Sequence, residues 1–229
     1  MKGGVRLVVT AGPTREHLDP VRFLSNPSTG KMGFAIAAEA AKRGLDVTLV
    51  AGPVALRTPP GAKRVDVVSA REMLAACQAA VAAGAPRTET IVVATAAVAD
   101  WRPAHCAAKK LKKGKMSPTL RLVRNPDILK TLSASRRHAG AALRLVGFAA
   151  ETDDVLSEAA RKCREKGLAF IVANDVTEKG CGFGTDTNRV TLVFPDGAQK
   201  PLPLLTKRAV ARRILNAISD LTDRHEDDA

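Results

Sequence analysis

Hydrophobic positions along this chain follow two alternating rhythms. Val5-Arg6-Leu7-Val8-Val9-Thr10 is a nearly unbroken β-branched run ended by Ala11-Gly12-Pro13-Thr14, the pattern of a buried strand running into a turn. From Met32 to Arg43 the period changes: Phe34, Ile36, Ala37, Ala40 and Ala41 recur at helical spacing, and Gly44 stands where a helix stops. Val47-Thr48-Leu49-Val50 predicts a second strand, Ser69 an N-cap for a helix over 70–83, and Ile91-Val92-Val93-Ala94 a third strand. Strands this apolar need cover on both faces, and right-handed βαβ crossovers supply it. The pattern predicts an α/β fold with a doubly wound, mostly parallel, Rossmann-like sheet.

Past Trp101 the rhythm gives way to a basic loop, Lys109-Lys110-Leu111-Lys112-Lys113-Gly114-Lys115, and a short alternating segment, Leu120-Arg121-Leu122-Val123. It resumes with a helix over 126–133, a strand over 143–148, a helix over 153–166 and a strand over 170–173. Arg189 to Phe194, the turn Pro195-Asp196-Gly197 and Gln199 to Leu202 read as a hairpin. The last helix runs from Lys207 to about Leu221, with Val210, Ile214, Leu215 and Ile218 on one face. Residues 1–222 are expected to form a single domain and 223–229 a disordered acidic tail.

Composition narrows the classes. No run of about 18 apolar residues is present and the N-terminus enters a strand directly, so neither a membrane span nor a secretory signal is expected, and the expected location is cytoplasmic. Cys77, Cys106, Cys163 and Cys181 lie far apart without CxxC spacing, which speaks against a zinc knuckle or a disulfide framework; only Cys181, in a glycine-rich loop, invites a nucleophilic reading. The net charge of +13 suits an anionic partner. Nucleic acid is disfavoured, because one Trp, no Tyr and six Phe leave few platforms for stacked bases.

Candidate chemistry gathers where strands end. The loop Arg22-Phe23-Leu24-Ser25-Asn26-Pro27-Ser28-Thr29-Gly30-Lys31-Met32-Gly33 opens the first helix. There Ser28, Gly30 and Gly33 can bring backbone N–H groups and a helix dipole to a phosphate. The segment is neither a Walker A nor a GxGxxG fingerprint, and Ser28 or Thr29 acting as a plain helix cap is an equal reading. Thr95-Ala96-Ala97-Val98-Ala99-Asp100 ends the third strand with room for a substrate beside a carboxylate. Gly147-Phe148-Ala149-Ala150-Glu151-Thr152 and Ala173-Asn174-Asp175 deliver further polar groups to the same sheet edge. The lysine run by itself reads as a solvated loop.

Taken in order, Gly12-Pro13-Thr14, the loop 22–33, Ala96 to Asp100, Lys110-Leu111-Lys112-Lys113, Asn125-Pro126-Asp127, 147–152 and 173–175 resemble the phosphopantothenoylcysteine synthetase family, in its bacterial form. The resemblance extends from about Val5 to Ile218. In bacteria this unit is usually fused behind a flavin-dependent decarboxylase half; this sequence holds no such half, so the resemblance implies either a stand-alone enzyme, with a flavin-dependent decarboxylase as its partner, or an excised domain. The resemblance implies a phosphopantothenate–cysteine ligase of coenzyme A biosynthesis. It would activate 4′-phosphopantothenate as an acyl-nucleotidylate with CTP, or with ATP as the alternative, assisted by Mg2+, and join it to L-cysteine.

Carried over by position, Gly12, Ser28, Gly30, Gly33, Phe148 and Asn174 would hold the nucleotide. Asn26, Ala96, Ala97 and Asp100 would meet the phosphopantothenoyl part, with Asn26 also catalytic. Arg22 would come from the second subunit of a homodimer to bind the substrate phosphate. Lys110 would be the catalytic lysine on a flap, with Lys109 a rival that only the Lys-Leu-Lys-Lys register sets aside. The segments 120–123 and 190–194 would be dimerisation strands. The metal ligands stay unassigned. The residues themselves leave two alternatives open: an NAD(P)-dependent oxidoreductase, although Ala51-Gly52-Pro53 stands where an acidic residue is expected, and a non-catalytic nucleotide-binding module.

Overall fold

The computed structural model describes residues 4–84, 88–112, 114, 119–135, 142–151 and 154–227; Lys113, Lys115, Thr152, Asp153 and residues 228–229 of the tail lie outside them. In chain order the elements are β1 (Val5–Ala11), β2 (Arg15–His17), β3 (Phe23–Ser25), α1 (Lys31–Lys42), β4 (Asp46–Ala51), β5 (Ala62–Asp66), α2 (Ala70–Ala82), β6 (Glu89–Ala94) and β7 (Trp101–Pro103). There follow β8 (Leu122–Arg124), α3 (Ile128–Ser135), β9 (Leu143–Glu151), α4 (Val155–Glu165), β10 (Phe170–Asp175), β11 (Thr187–Asn188), β12 (Thr191–Val193), β13 (Gln199–Pro201), β14 (Leu205–Thr206) and α5 (Lys207–Asp227).

Eight strands form one sheet in the order β13-β12-β10-β9-β6-β1-β4-β5. All its pairings are parallel except those of β12 with β10 and with β13. Both faces are covered, as the apolar strands require. Leu7 and Val9 of β1 pack in one cluster with Phe34 and Ile36 of α1 and Ile214 and Leu215 of α5. Val8, one residue out of phase, packs in the other with Met73 of α2, Leu132 of α3 and Cys163 of α4. The period of two in the strand thus divides its side chains between two layers of helix.

The N-cap expected at Ser69 is present at α2. The Ser69 hydroxyl accepts the Glu72 N–H at 3.2 Å while the Glu72 carboxylate accepts the Val68 N–H at 2.9 Å, a reciprocal cap. Buried Glu16 accepts the Ala70 N–H at 2.9 Å, fixing β2 to the same helix end.

Three sequence expectations change. β5 was not expected, because an edge strand of alternating polar residues, Ala62-Lys63-Arg64-Val65-Asp66, has no apolar run to betray it; it joins β4 in parallel without an intervening helix. The 190–194 segment is not a free dimerisation strand: β12 pairs with β10, and Val190, Leu192 and Val193 are buried in this chain's own core. The last helix continues to Asp227 in place of ending near Leu221, since residues 222–227 contain no Gly or Pro to stop the hydrogen-bond ladder. Leu122, by contrast, lies on a two-stranded ribbon of β7 and β8 and stays 39% exposed beside Trp101 at 45%. No helix among the described residues is long and apolar enough to cross a membrane.

Candidate active site

The sheet order reverses between β1 and β6. The chain leaves β1 toward β4 on one side and leaves β6 toward β9 on the other, so a crevice opens at their carboxyl ends. Its floor is laced by polar contacts. The Thr95 hydroxyl donates to Thr10 O at 2.5 Å, and the Ala96 N–H donates to the Thr10 hydroxyl at 3.2 Å. Ala97 N–H donates to Gly12 O at 2.9 Å, and Ala99 N–H to the buried Thr14 hydroxyl at 3.0 Å. Gly12 is therefore part of the scaffold under the crevice and lines neither of the compartments described below.

The 22–33 loop is pinned across this floor. Ser25 Oγ donates to Thr14 O at 2.8 Å, and Asn26 Nδ2 donates to Ala97 O at 3.1 Å and Val98 O at 3.3 Å. At the start of α1, Gly30 occupies the N-cap with φ of 77° and no side chain caps the helix. The left-handed turn suits glycine, and the first N–H groups stay turned to the crevice. Neither Ser28 nor Thr29 is the cap that the sequence left open: the Ser28 hydroxyl accepts the Gly30 N–H at 3.3 Å, and Thr29 donates to Phe183 O at 2.6 Å. Gly33 has a different reason. A Cβ there would lie 2.5 Å from Thr95 Oγ1 and 2.6 Å from Ala11 Cβ, so only glycine lets α1 rest this close to the tips of β1 and β6.

The crevice has two compartments. The smaller, of about 110 Å³, is lined by Ser28, Gly30, Lys31, Met32, Gly33, Thr95, Asn174, Asn188 and Lys207; the larger, of about 480 Å³, holds Asn26, Val98, Asp100, Asn125, Asp127, Lys162 and Lys166. Ala96, Ala97, Phe148, Ala149, Ala150 and Phe183 form the wall they share.

The smaller compartment is cationic. Lys207 is only 6% exposed, and its ammonium donates to Gly182 O at 2.8 Å, Thr185 O at 2.7 Å and Phe183 O at 3.4 Å. Burial, and then the neighbouring Lys31, push its pKa down from the ordinary lysine value. Lys31 donates to Gly184 O at 2.9 Å and pairs with Asp186 at 2.7 Å. In the lining of the same compartment, the Oδ1 atoms of Asn174 and Asn188 are buried without a hydrogen-bond partner. A buried amide oxygen left unpaired is costly, and in a cavity wall it marks where a ligand donor belongs.

Lysine 207 and Asn188 were missed from sequence, where Lys207 read only as a helix start. The signal was the glycine-rich stretch 180–184, whose carbonyls need a donor from elsewhere. Lys207→Met keeps the stem and deletes the donors. We expect about tenfold weaker binding of a nucleoside triphosphate and about 1–3 kcal/mol lower stability, read by calorimetric titration and thermal melting. Unchanged affinity would remove the 182–185 loop from the ligand wall.

In the larger compartment Asn125 ties the 125–127 turn to the β6 loop through Nδ2 to Ala99 O at 2.8 Å, and its N–H donates to Asp100 O at 2.8 Å. Burial raises the Asp127 pKa, but the Lys130 amide and the Lys166 ammonium at 2.7 Å outweigh it and hold the carboxyl below its usual range. Among the described residues no group of three His, Cys, Asp or Glu is placed to hold a metal ion. Asp100 lines the larger compartment, while the oxygens of its neighbour Asp127 are taken by Lys130 and Lys166, so this lining offers a hard cation one carboxylate and no protein cage.

The structure thus brings together Ser28, Gly30, Gly33, Ala96, Ala97, Phe148 and Asn174 in one compartment and Asn26 and Asp100 in the next. It leaves Arg22 and Lys110 outside both: Arg22 is paired with Asp19, and Lys110 is exposed. Cys181 is withdrawn as a nucleophile, because its sulfur is buried, accepts the Arg189 N–H at 3.2 Å and is pushed up in pKa by burial.

Residues 2–221 match the family model described as the DNA/pantothenate metabolism flavoprotein C-terminal domain. The chain is 47% identical over 217 residues to the coenzyme A biosynthesis bifunctional protein CoaBC of Escherichia coli (strain K12), covering 93% of this chain and 51% of that protein. It is 46% identical over 220 residues to the protein of the same name from Bacillus subtilis (strain 168), covering 96% and 52%. The chain therefore spans about half the length of these curated relatives. The crystal structure of the C-terminal domain of a CoaBC protein superimposes with a TM-score of 0.79 at 42% identity, covering 96% of this chain and 97% of that one.

Proposed function

Because the chain belongs to the family of DNA/pantothenate metabolism flavoprotein C-terminal domains, we propose that it is a phosphopantothenate–cysteine ligase of coenzyme A biosynthesis. What carries this reading is the joining of the two compartments. One is cationic and floored by an uncapped helix N-terminus; the other is larger and polar; they meet at Ala96, Ala97 and Phe148. Such a crevice brings a triphosphate and a second anion within bonding reach of each other.

In this reading the phosphates of a nucleoside triphosphate, CTP in preference to ATP, lie against the first N–H groups of α1 and the Lys31 and Lys207 charges. The orphaned Asn174 and Asn188 oxygens accept from the nucleotide's hydroxyl or amino groups. The 4′-phosphopantothenate carboxylate occupies the larger compartment beside Asn26 and Asp100. Its oxygen attacks the α-phosphorus, the α–β phosphoanhydride bond breaks, and pyrophosphate leaves. The amine of L-cysteine then attacks the acyl carbon of the nucleotidylate, losing a proton, and the nucleoside monophosphate departs as the amide forms. A carboxylate is a poor acyl electrophile until its oxygen becomes part of a phosphate leaving group, so electrostatic stabilisation carries most of the catalysis.

Mg2+ would be held by the nucleotide's phosphates with Asp100, and would supply charge neutralisation. Lys110 is the proposed catalytic lysine. Arg22 serves the substrate phosphate of a neighbouring subunit, for which a guanidinium fork is suited. A homodimer is proposed, with the exposed Trp101 and Leu122 of the β7–β8 ribbon available to its interface. The location is cytoplasmic, and a flavin-dependent decarboxylase is the partner that would supply the pathway's next step.

The test is pyrophosphate release by the purified chain with 4′-phosphopantothenate, magnesium and L-cysteine, comparing CTP with ATP and the native chain with Lys110→Gln. We expect release that requires phosphopantothenate and favours CTP, and an amide product whose formation falls by about 10²–10⁴-fold in Lys110→Gln. A folded chain that releases no pyrophosphate with either nucleotide would overturn the ligase assignment.

A further inference from the structure

Asp19 is wholly buried in the turn that joins β2 to β3, yet it lines neither compartment. Its two carboxylate oxygens do different work. Oδ1 accepts the N–H groups of Val21 and Arg22, both at 2.9 Å, and so closes its own turn. Oδ2 faces outward from that turn and accepts Arg22 Nη2 at 2.5 Å, Arg22 Nε at 3.1 Å and, across 92 residues of sequence, the Leu111 N–H at 3.1 Å.

Two further bonds join the same pieces. Arg22 Nη2 donates to Leu111 O at 2.9 Å, and Ala107 N–H donates to Leu18 O at 2.8 Å. The arginine and the segment carrying Lys110 are thereby held to one buried oxygen. A carboxylate oxygen that shares itself between a guanidinium and a backbone N–H from a distant segment fixes both positions at once, because charge-assisted bonds are short and directional.

We propose that Asp19 is a positioning residue for the ligase reaction, setting the place of Arg22 and of the lysine segment together through Oδ2. The inference rests on the ligase reading above. The Arg22 guanidinium hydrogen-bonded to it, opposed by burial and aided by the Val21, Leu111 and Arg22 amides, holds the Asp19 carboxyl well below its usual range. The pairing therefore persists throughout the neutral range. A structural role alone would need only Oδ1, whose bonds stay within the turn.

That division of labour supplies the test. Asp19→Asn keeps an acceptor at Oδ1, where two N–H groups orient the amide, and replaces Oδ2 with an NH2 that cannot accept from Arg22 or Leu111. The full chain is assayed for KM and kcat after thermal melting confirms folding. We expect KM for 4′-phosphopantothenate to rise and kcat to fall, each by about tenfold, with KM for the nucleotide changed less than about twofold. In a double-mutant cycle, Asp19→Asn added to Arg22→Gln should raise KM for 4′-phosphopantothenate no further than Arg22→Gln alone, since the carboxylate acts on that constant through the arginine.

Unchanged constants in folded Asp19→Asn, or effects on KM that add in the double variant, would overturn the assignment. If Asp19→Asn does not fold, Leu111→Pro carries the test. It deletes one donor to Oδ2 and leaves the Asp19–Arg22 pair in place, and we expect a lower kcat at unchanged nucleotide KM; an unchanged kcat overturns the proposal. A native chain without ligase turnover removes the underlying reading and this role with it, whereas an active native chain matched by its Asp19 variant removes the role alone.

Discussion

Asn26→Asp is expected to lower ligase turnover by about 10²–10³-fold, the scale on which loss of an oriented amide at a charged reaction centre is felt. Asn26 Nδ2 donates to two carbonyl oxygens, Ala97 O and Val98 O, and so holds the 22–33 loop over the β6 end. A carboxylate in the same place presents oxygen to oxygen, and also adds a negative charge where the proposed reaction brings two anions together. The loop must lift, and the substrates are repelled as well. Stability should fall by about 1–3 kcal/mol from the carbonyls left unpaired. Asn26→Ala separates the effects: water can reach the carbonyls, so the stability loss should shrink while the turnover loss remains. Pyrophosphate release and thermal melting read both, and turnover of Asn26→Asp within threefold of native would remove Asn26 from the centre.

The largest effect on the fold is expected at Gly33. Gly33→Val introduces a Cβ into space bounded at 2.5 Å by Thr95 Oγ1, at 2.6 Å by Ala11 Cβ and at 2.9 Å by Thr10 O. None of these can step aside easily. Thr95 is fixed by its bond to Thr10 O, and Ala11 is fully buried in the sheet. The helix has to retreat from the sheet, an overpacking cost of about 1–3 kcal/mol. For a domain of this size that corresponds to a Tm lower by roughly 2–12 °C. The same retreat carries the uncapped helix start away from the smaller compartment, so nucleotide affinity should fall even under conditions where the variant is fully folded. A variant that melts with the native chain would show that α1 does not rest where the structure puts it. A variant that melts early yet binds nucleotide normally would separate the helix contact from the phosphate cradle.

Much of this site could be read before folding was considered. Ser28, Gly30 and Gly33 announced the start of a helix with a close approach beside it, and Ala96, Ala97 and Asp100 a strand end with room beside it, because turn chemistry and strand ends leave their marks within a few residues. The structure gathers all of them at one crevice. Arg22 and Lys110 carried no such local mark. Their roles came from resemblance, and the structure shows Arg22 and Leu111, the residue after Lys110, joined through Asp19 outside the crevice.

Lys207, Asn174 and Asn188 show the same limit from the other side. Asn174 was legible as the end of β10, but nothing near Asn188 or Lys207 in sequence says that they line one compartment with Lys31. The glycine-rich 182–185 loop needs donors, and the chain provides them from α5 and from the segment before α1, far apart in sequence.

The sequence by itself determined the period of each element, and with it the two-sided burial of the central strands. Backbone geometry imposes periods of two and 3.6, and an apolar residue advertises the face it needs. It also determined that a glycine-rich turn opens α1, since the free N–H groups of a helix start belong to that helix alone. Only the tertiary structure decided that β5, a polar strand, closes one edge of the sheet, that Val190 to Val193 are spent in the chain's own core, and that one buried carboxylate holds Arg22 and Leu111 together. Those are matters of register and packing between distant segments, and the energies that settle them are shared among many residues and written in none of them singly.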